Sequence, residues 1–100
     1  MDVQQAIDDA RCWVEYATYP PAEIAVRFSH RLVAIHPFPN GNGRFSRLVG
    51  DLLAHDLGKP PFTWGRADLV SAGETRTRYI EALRAADTHD IGPLLTFARS

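Results

Sequence analysis

Three features of the sequence predict an all-α fold, a compact bundle of about five helices. Apolar residues recur at intervals of three and four through most of the chain. Clusters of proline and glycine interrupt that rhythm at residues 19–21, 37–43 and 58–61. No stretch reads as a convincing strand, so helix packing on helix is the architecture left.

The first helix is predicted over residues 2–17. Val3, Ala6, Ile7, Ala10, Trp13, Val14 and Ala17 fall on one face, and Asp2 can cap the start. Tyr19-Pro20-Pro21 ends it, with Pro21 suited to open the next helix. Residues 21–36 continue with Ile24, Ala25, Phe28, Leu32 and Ile35, and Val33 widens the apolar side, as befits a central element. Pro37 stops this helix, because it disfavours helical geometry at His36 and supplies no N–H. His36 is therefore expected at the end of a buried helix, held by packing. A tight loop over residues 37–41 leads to a third helix from Asn42. Its apolar stripe is Phe45, Leu48, Val49, Leu52, Leu53 and Leu57, with Gly58 just past its end. Phe62-Thr63-Trp64-Gly65 reads as an extended connection lying across the bundle and covering its core. Ser71 and Glu74 have capping-box spacing ahead of a helix with Tyr79, Ile80, Leu83 and Ala86. Asp90 can cap a last short helix with Leu94, Leu95 and Phe97.

One hundred residues is a single small domain or a piece of one, and 45% apolar residues suffice for a core. A formal charge of −1 gives no argument for nucleic acid or a membrane surface as partner. Ten arginines stand beside one lysine, Lys59; arginine suits bidentate phosphate contacts, although a codon bias accounts for most of them. The one cysteine, Cys12, precludes an internal disulfide and reads as a small buried thiol of a cytoplasmic chain. There is no signal peptide and no apolar run of membrane-spanning length.

The chemistry concentrates in His36-Pro37-Phe38-Pro39-Asn40-Gly41-Asn42-Gly43-Arg44-Phe45-Ser46-Arg47. Backbone N–H groups at a helix start point at an anion, glycines let a ligand come close, and two arginines add charge. A histidine before the loop sets a base beside that anion site. The plain alternative is a turn with a helix cap at Asn42.

The flanks decide between them. The stretch resembles the signature of the Fic (Fido) domain family, His-x-Phe-x-(Asp/Glu)-Gly-Asn-Gly-Arg-x-x-Arg. Residues 27–35, 61–65 and 79–87 further resemble the Fic subgroup labelled mobile mystery protein B. The likeness covers essentially all of residues 1–100, which match the C-terminal part of a Fic domain, an all-α bundle. It implies transfer of AMP from ATP to a Ser, Thr or Tyr hydroxyl of a target protein. By that resemblance His36 is the general base and Phe38 anchors the loop in the core. Gly41, Asn42 and Gly43 form the anion hole, and Arg44 and Arg47 contact the phosphates. Tyr79 and Asp87 fall where family members line the nucleobase pocket. Tyr79 fits its helix's core stripe better, and Arg47 has Asp51 four residues on for an ion pair. The other histidines show no metal-site spacing.

Two departures qualify the resemblance. Asn40 stands where the family has Asp or Glu to hold Mg²⁺ (or Mn²⁺), so metal binding is expected to be weakened. The sequence also starts about two helices before the motif, with no candidate for the family's β-hairpin flap or inhibitory helix. It reads as a Fic-type core lacking the N-terminal helices and flap, with apolar surface left open to self-association. Two alternatives follow: a catalytically impaired nucleotide-binding or interaction module, and phosphoryl transfer by the same site. Gly43 opposes the latter, since that variant of the family carries lysine there.

Overall fold

The first helix, α1 (Val3–Glu15), starts where the sequence places a cap: the Asp2 carboxylate accepts the Gln5 N–H at 2.8 Å. The computed structural model describes residues 2–36 and 38–100. Four more helices follow: α2 (Pro21–Ile35), α3 (Asn42–Asp56), α4 (Ala72–Asp87) and α5 (Gly92–Ala98). No strand occurs among the described residues, so the predicted all-α class with five helices is what forms. Among the described residues, no helix is long and apolar enough to cross a membrane.

The chain divides into two units, residues 1–61 and 62–100. In the first, α2 packs against both α1 and α3. Ala6 and Ala10 of α1 meet Phe28 and Leu32 of α2 in a core flanked by Val3, Ile7, Trp13, Ile35, Phe45, Val49 and Leu53. Arg31 ties α2 to α1, and Arg27 ties it to the connection between them. The Arg31 guanidinium donates to Asp9 at 2.7 Å and lies 5.1 Å from the Trp13 ring. That of Arg27 donates to Glu23 at 2.8 Å and lies 4.0 Å from the Tyr19 ring.

The α2–α3 contact differs from the predicted stripe. The buried face of α3 is Asn42, Ser46, Gly50 and Ala54, four small residues one turn apart. A Cβ on Gly50 would stand 3.1 Å from the Ser29 Cβ, so the two helices meet closely through this missing side chain. Small side chains draw α3 onto α2, and Phe45, Val49 and Leu53 pack beside the seam. Leu48 and Leu52 are left 58% and 56% exposed. The expectation that the leucines form the buried stripe is corrected on this point.

Two expectations for α1 also change. The helix ends at Glu15, and Ala17 sits in a turn at φ 49° rather than on the core face. Cys12 is exposed, because the buried positions Ala6 and Ala10 and the flanking Trp13 define a stripe that it lies outside. An apolar trough of about 530 Å³ runs between α1 and α3, with Phe28, Ala10, Val14, Val49 and Leu53 among its lining.

Helix α3 closes in a Schellman motif. Gly58 takes φ +80°, its N–H donates to His55 O at 3.0 Å, and the Lys59 N–H donates to Ala54 O at 2.8 Å.

In the second unit, Ser71 Oγ accepts the Glu74 N–H at 3.1 Å and starts α4 as the spacing predicts. The N-cap of α5 is Ile91 rather than the expected Asp90, whose carboxylate lies one residue earlier and accepts the Gly92 N–H at 3.2 Å. The connection does not run extended across a core: it turns at residues 64–67, where Trp64 and Gly65 take φ of 50° and 82°. The N–H groups of Thr63 and Trp64 both donate to Ala98 O, and Gly65 N–H donates to Ser100 O. This turn puts Phe62 and Trp64 in the second unit's own core, where Trp64 meets Tyr79 and Tyr79 meets Phe97.

Candidate active site

The motif loop spans the gap between the end of α2 and the start of α3, and left-handed residues stand at both ends. His36 is the C-cap of α2 at φ 55°, ψ 60°. Gly41 is the N-cap of α3 at φ 76°, ψ 9°. Histidine tolerates this region with some cost, whereas glycine adopts it freely, and open space surrounds Gly41. Pro37, expected to stop α2, lies outside the described residues.

His36 is exposed, so packing does not hold it as the sequence suggests. A hydrogen bond does: ring Nδ1 lies 2.7 Å from the Val33 carbonyl oxygen. A carbonyl oxygen only accepts, so Nδ1 carries the proton in this contact. In the neutral imidazole Nε2 then holds the lone pair, which is the atom a general base needs.

At the other end of the loop, the first intrahelical bond of α3 runs from the Phe45 N–H to Gly41 O at 3.0 Å. The N–H groups of Asn42, Gly43 and Arg44 precede it and have no partner within the helix. They form a row of donors at the positive end of a 15-residue helix. Arg44 is exposed on the first turn and makes no ion pair among the described residues. Arg47 is half-buried one turn further on.

Phe38 departs from its expected role. The residue is 47% exposed rather than sunk in the core, and its ring rests edge-on against Phe45 with centroids 5.0 Å apart. The firmer tie is one that the sequence reading overlooked. Asn42 is 6% exposed, and its side chain accepts the Phe38 N–H at 3.0 Å and donates to Phe38 O at 2.7 Å. Ser46, fully buried, donates to Gly43 O at 3.0 Å. An asparagine at a helix start is the one sequence signal that could have disclosed such a bond.

Asn40 is exposed in the bend before Gly41. It offers one neutral amide oxygen, and no group of three or more His, Cys, Asp or Glu side chains suited to a metal occurs among the described residues. This donor set does not fit a resident Mg²⁺, which favours carboxylates. Tyr79 and Asp87 belong to the second unit. Tyr79 is half-buried, with its ring 5.4 Å from that of Phe97, and Asp87 is exposed at the end of α4.

Comparison with known proteins gives the family of the chain. Residues 1–54 match the family model described as "Fic/DOC family". The chain is 35% identical over 81 residues to "Protein adenylyltransferase Fic" of Drosophila melanogaster, covering 81% of this chain and 15% of that protein. It is 34% identical over 80 residues to "Protein adenylyltransferase fic-1" of Caenorhabditis elegans, covering 80% and 14%. The chain thus spans about 15% of the length of the curated relatives it matches. Among solved structures, "Fic-1 (aa134 - 508) from C. elegans" superposes with a TM-score of 0.69 at 30% identity, over 97% of this chain and 28% of the other. With its helices, its motif loop and more than half of its residues matched in this way, the chain belongs to the Fic/DOC family.

Proposed function

We propose that this chain carries the catalytic core of a protein adenylyltransferase. In this reading it moves AMP from ATP to a hydroxyl side chain of a target protein. The observation that carries the reading is the pairing of two features on one short loop. An imidazole is oriented through Nδ1 by Val33 O, and a row of unsatisfied N–H groups opens α3.

The reaction assigns each group a role. Nε2 of His36 takes the proton of the attacking hydroxyl. The hydroxyl oxygen forms a bond to the α-phosphorus of ATP, the bond from that phosphorus to the bridging oxygen breaks, and pyrophosphate leaves with the electron pair. Negative charge on the phosphates is met by the N–H groups of Asn42, Gly43 and Arg44 and by the Arg44 and Arg47 guanidiniums. Relatives of the chain bear the name protein adenylyltransferase, which supports ATP and a protein hydroxyl as the substrate classes.

One observation favours a second reading, a nucleotide-binding module with impaired catalysis: the neutral amide of Asn40 at the position suited to a metal-holding carboxylate. A single experiment separates the two. The protein is incubated with α-labelled ATP and Mg²⁺ or Mn²⁺, alone and with cell lysate, beside His36→Ala. Label transfer that depends on His36 supports the enzyme. Nucleotide binding without transfer supports the module and overturns the first reading.

A further inference from the structure

The residue that shapes the motif loop is Asn42, and we infer that its side chain acts as a latch. It is a positioning residue that fixes Phe38, and through it the path from His36 to the first turn of α3. Among the described residues, no backbone–backbone hydrogen bond holds residues 38–40, and all three are exposed. The segment has no regular structure of its own to keep it in place. Asn42 supplies what is missing by presenting an acceptor and a donor, on adjacent atoms, to the N–H and C=O of the same residue. The amide thus stands in for a backbone partner and closes a five-residue ring of chain.

The chemistry of the contact restricts the residue type. Aspartate can accept the Phe38 N–H but cannot donate to the carbonyl, and leucine has the volume and shape but neither function. Burial of Asn42 limits the access of water to its amide from the α3 side, although Phe38 itself is exposed. Burial also separates two roles that the motif leaves merged. The side-chain oxygen is committed to Phe38, so the backbone N–H of Asn42 is what faces an anion. The ring of Phe38, half-exposed against Phe45, is a weaker fastening than this pair of bonds.

The latch stands on its own geometry, whereas its consequence for catalysis rests on the adenylyltransferase reading. The test compares Asn42→Leu and Asn42→Asp with the unaltered protein by amide hydrogen exchange in nuclear magnetic resonance. In Asn42→Leu the Phe38 amide exchanges about tenfold faster, while Val49 and Leu53 in the middle of α3 are unchanged. In Asn42→Asp the Phe38 amide stays protected, because its acceptor is retained. A residue that served only to fill space would leave the Phe38 amide as protected in Asn42→Leu as in the unaltered protein, and that result overturns the latch. If the leucine variant does not fold, the aspartate variant decides: a Phe38 amide that loses protection there refutes the contact. Transfer from labelled ATP is then followed for the folded variants. Loss of the latch lowers kcat more than it raises KM, since the base is misplaced while phosphate donors remain. An unchanged kcat overturns the positioning role. Absence of transfer in the unaltered protein refutes the proposed function instead, and leaves the exchange order to decide the latch.

Discussion

At the scale of single residues, Asn40 sets the most direct question. An amide oxygen can approach a cation but brings no charge, so in the proposed reaction metal would arrive largely on the phosphates of the nucleotide. Asn40 is exposed in its bend, with room for a carboxylate of the same size. Asn40→Asp is therefore expected to raise Mg²⁺-dependent AMP transfer about tenfold, the scale of a change close to a metal. A Mg²⁺ titration of label transfer reads this directly. Equal rates and equal metal dependence in the two proteins would mean that position 40 does not face the cation. His36 poses the complementary question. Removal of the imidazole by His36→Ala is expected to lower transfer by at least about 100-fold, in line with general-base contributions. Nucleotide binding, measured by calorimetry, is expected to change little, because the anion donors belong to α3.

At the scale of elements, the close seam of α2 and α3 depends on Gly50. An added Cβ would meet the Ser29 Cβ at 3.1 Å, and Ser29 is itself buried on a packed helix, so neither neighbour yields easily. Alanine gains about 1 kcal/mol over glycine in a helix interior. Overpacking costs about 1–3 kcal/mol. Gly50→Ala is thus expected to lower stability by about 1 kcal/mol net, as urea unfolding would register. A stabilised variant would show that the helices can part without loss. Gly58 offers a contrast, since nothing lies near its Cβ and only its φ of +80° resists a side chain. Gly58→Ala is expected to cost about 1 kcal/mol through backbone strain alone. These two glycines mark what was legible in the sequence. The end of α3 could be read at Gly58, since local turn chemistry dictates it. The caps at Asp2 and Ser71 were legible for the same reason. The packed face of α3 was not, because leucines outweigh small residues in any count of apolar periodicity. Which face is buried was decided by how closely α2 can approach Gly50. The motif loop was legible as a string of residue types. The double bond from Asn42 to Phe38 and the hold of Val33 on His36 arise from three-dimensional closure, which spacing does not encode.

At the scale of the whole molecule, the residues of the motif and the hydrophobic core beneath them belong to residues 1–61, while a second core lies in residues 62–100. Each unit carries one tryptophan, Trp13 in the first and Trp64 in the second, so fluorescence can follow each core once the other tryptophan is replaced by phenylalanine. Leu94 is 1% exposed in the second unit. Its replacement by alanine is expected to cost about 3 kcal/mol, from lost burial and the cavity left behind. Phe28→Ala removes a ring from the first core at a similar cost of about 3–4 kcal/mol. Each loss is expected to appear chiefly at the tryptophan of its own unit in chemical unfolding. The consequence reaches the site. Phe28 sits between Ala10 on α1 and the flank of α3 that Val49 and Leu53 supply. Loosening it removes support from the helix whose first turn holds the anion donors, and nucleotide binding should weaken with it. Leu94→Ala should leave phosphate binding intact at denaturant concentrations where only Trp64 has responded. If both substitutions shift both tryptophans alike, the two cores unfold as one, and the site draws its stability from all 100 residues.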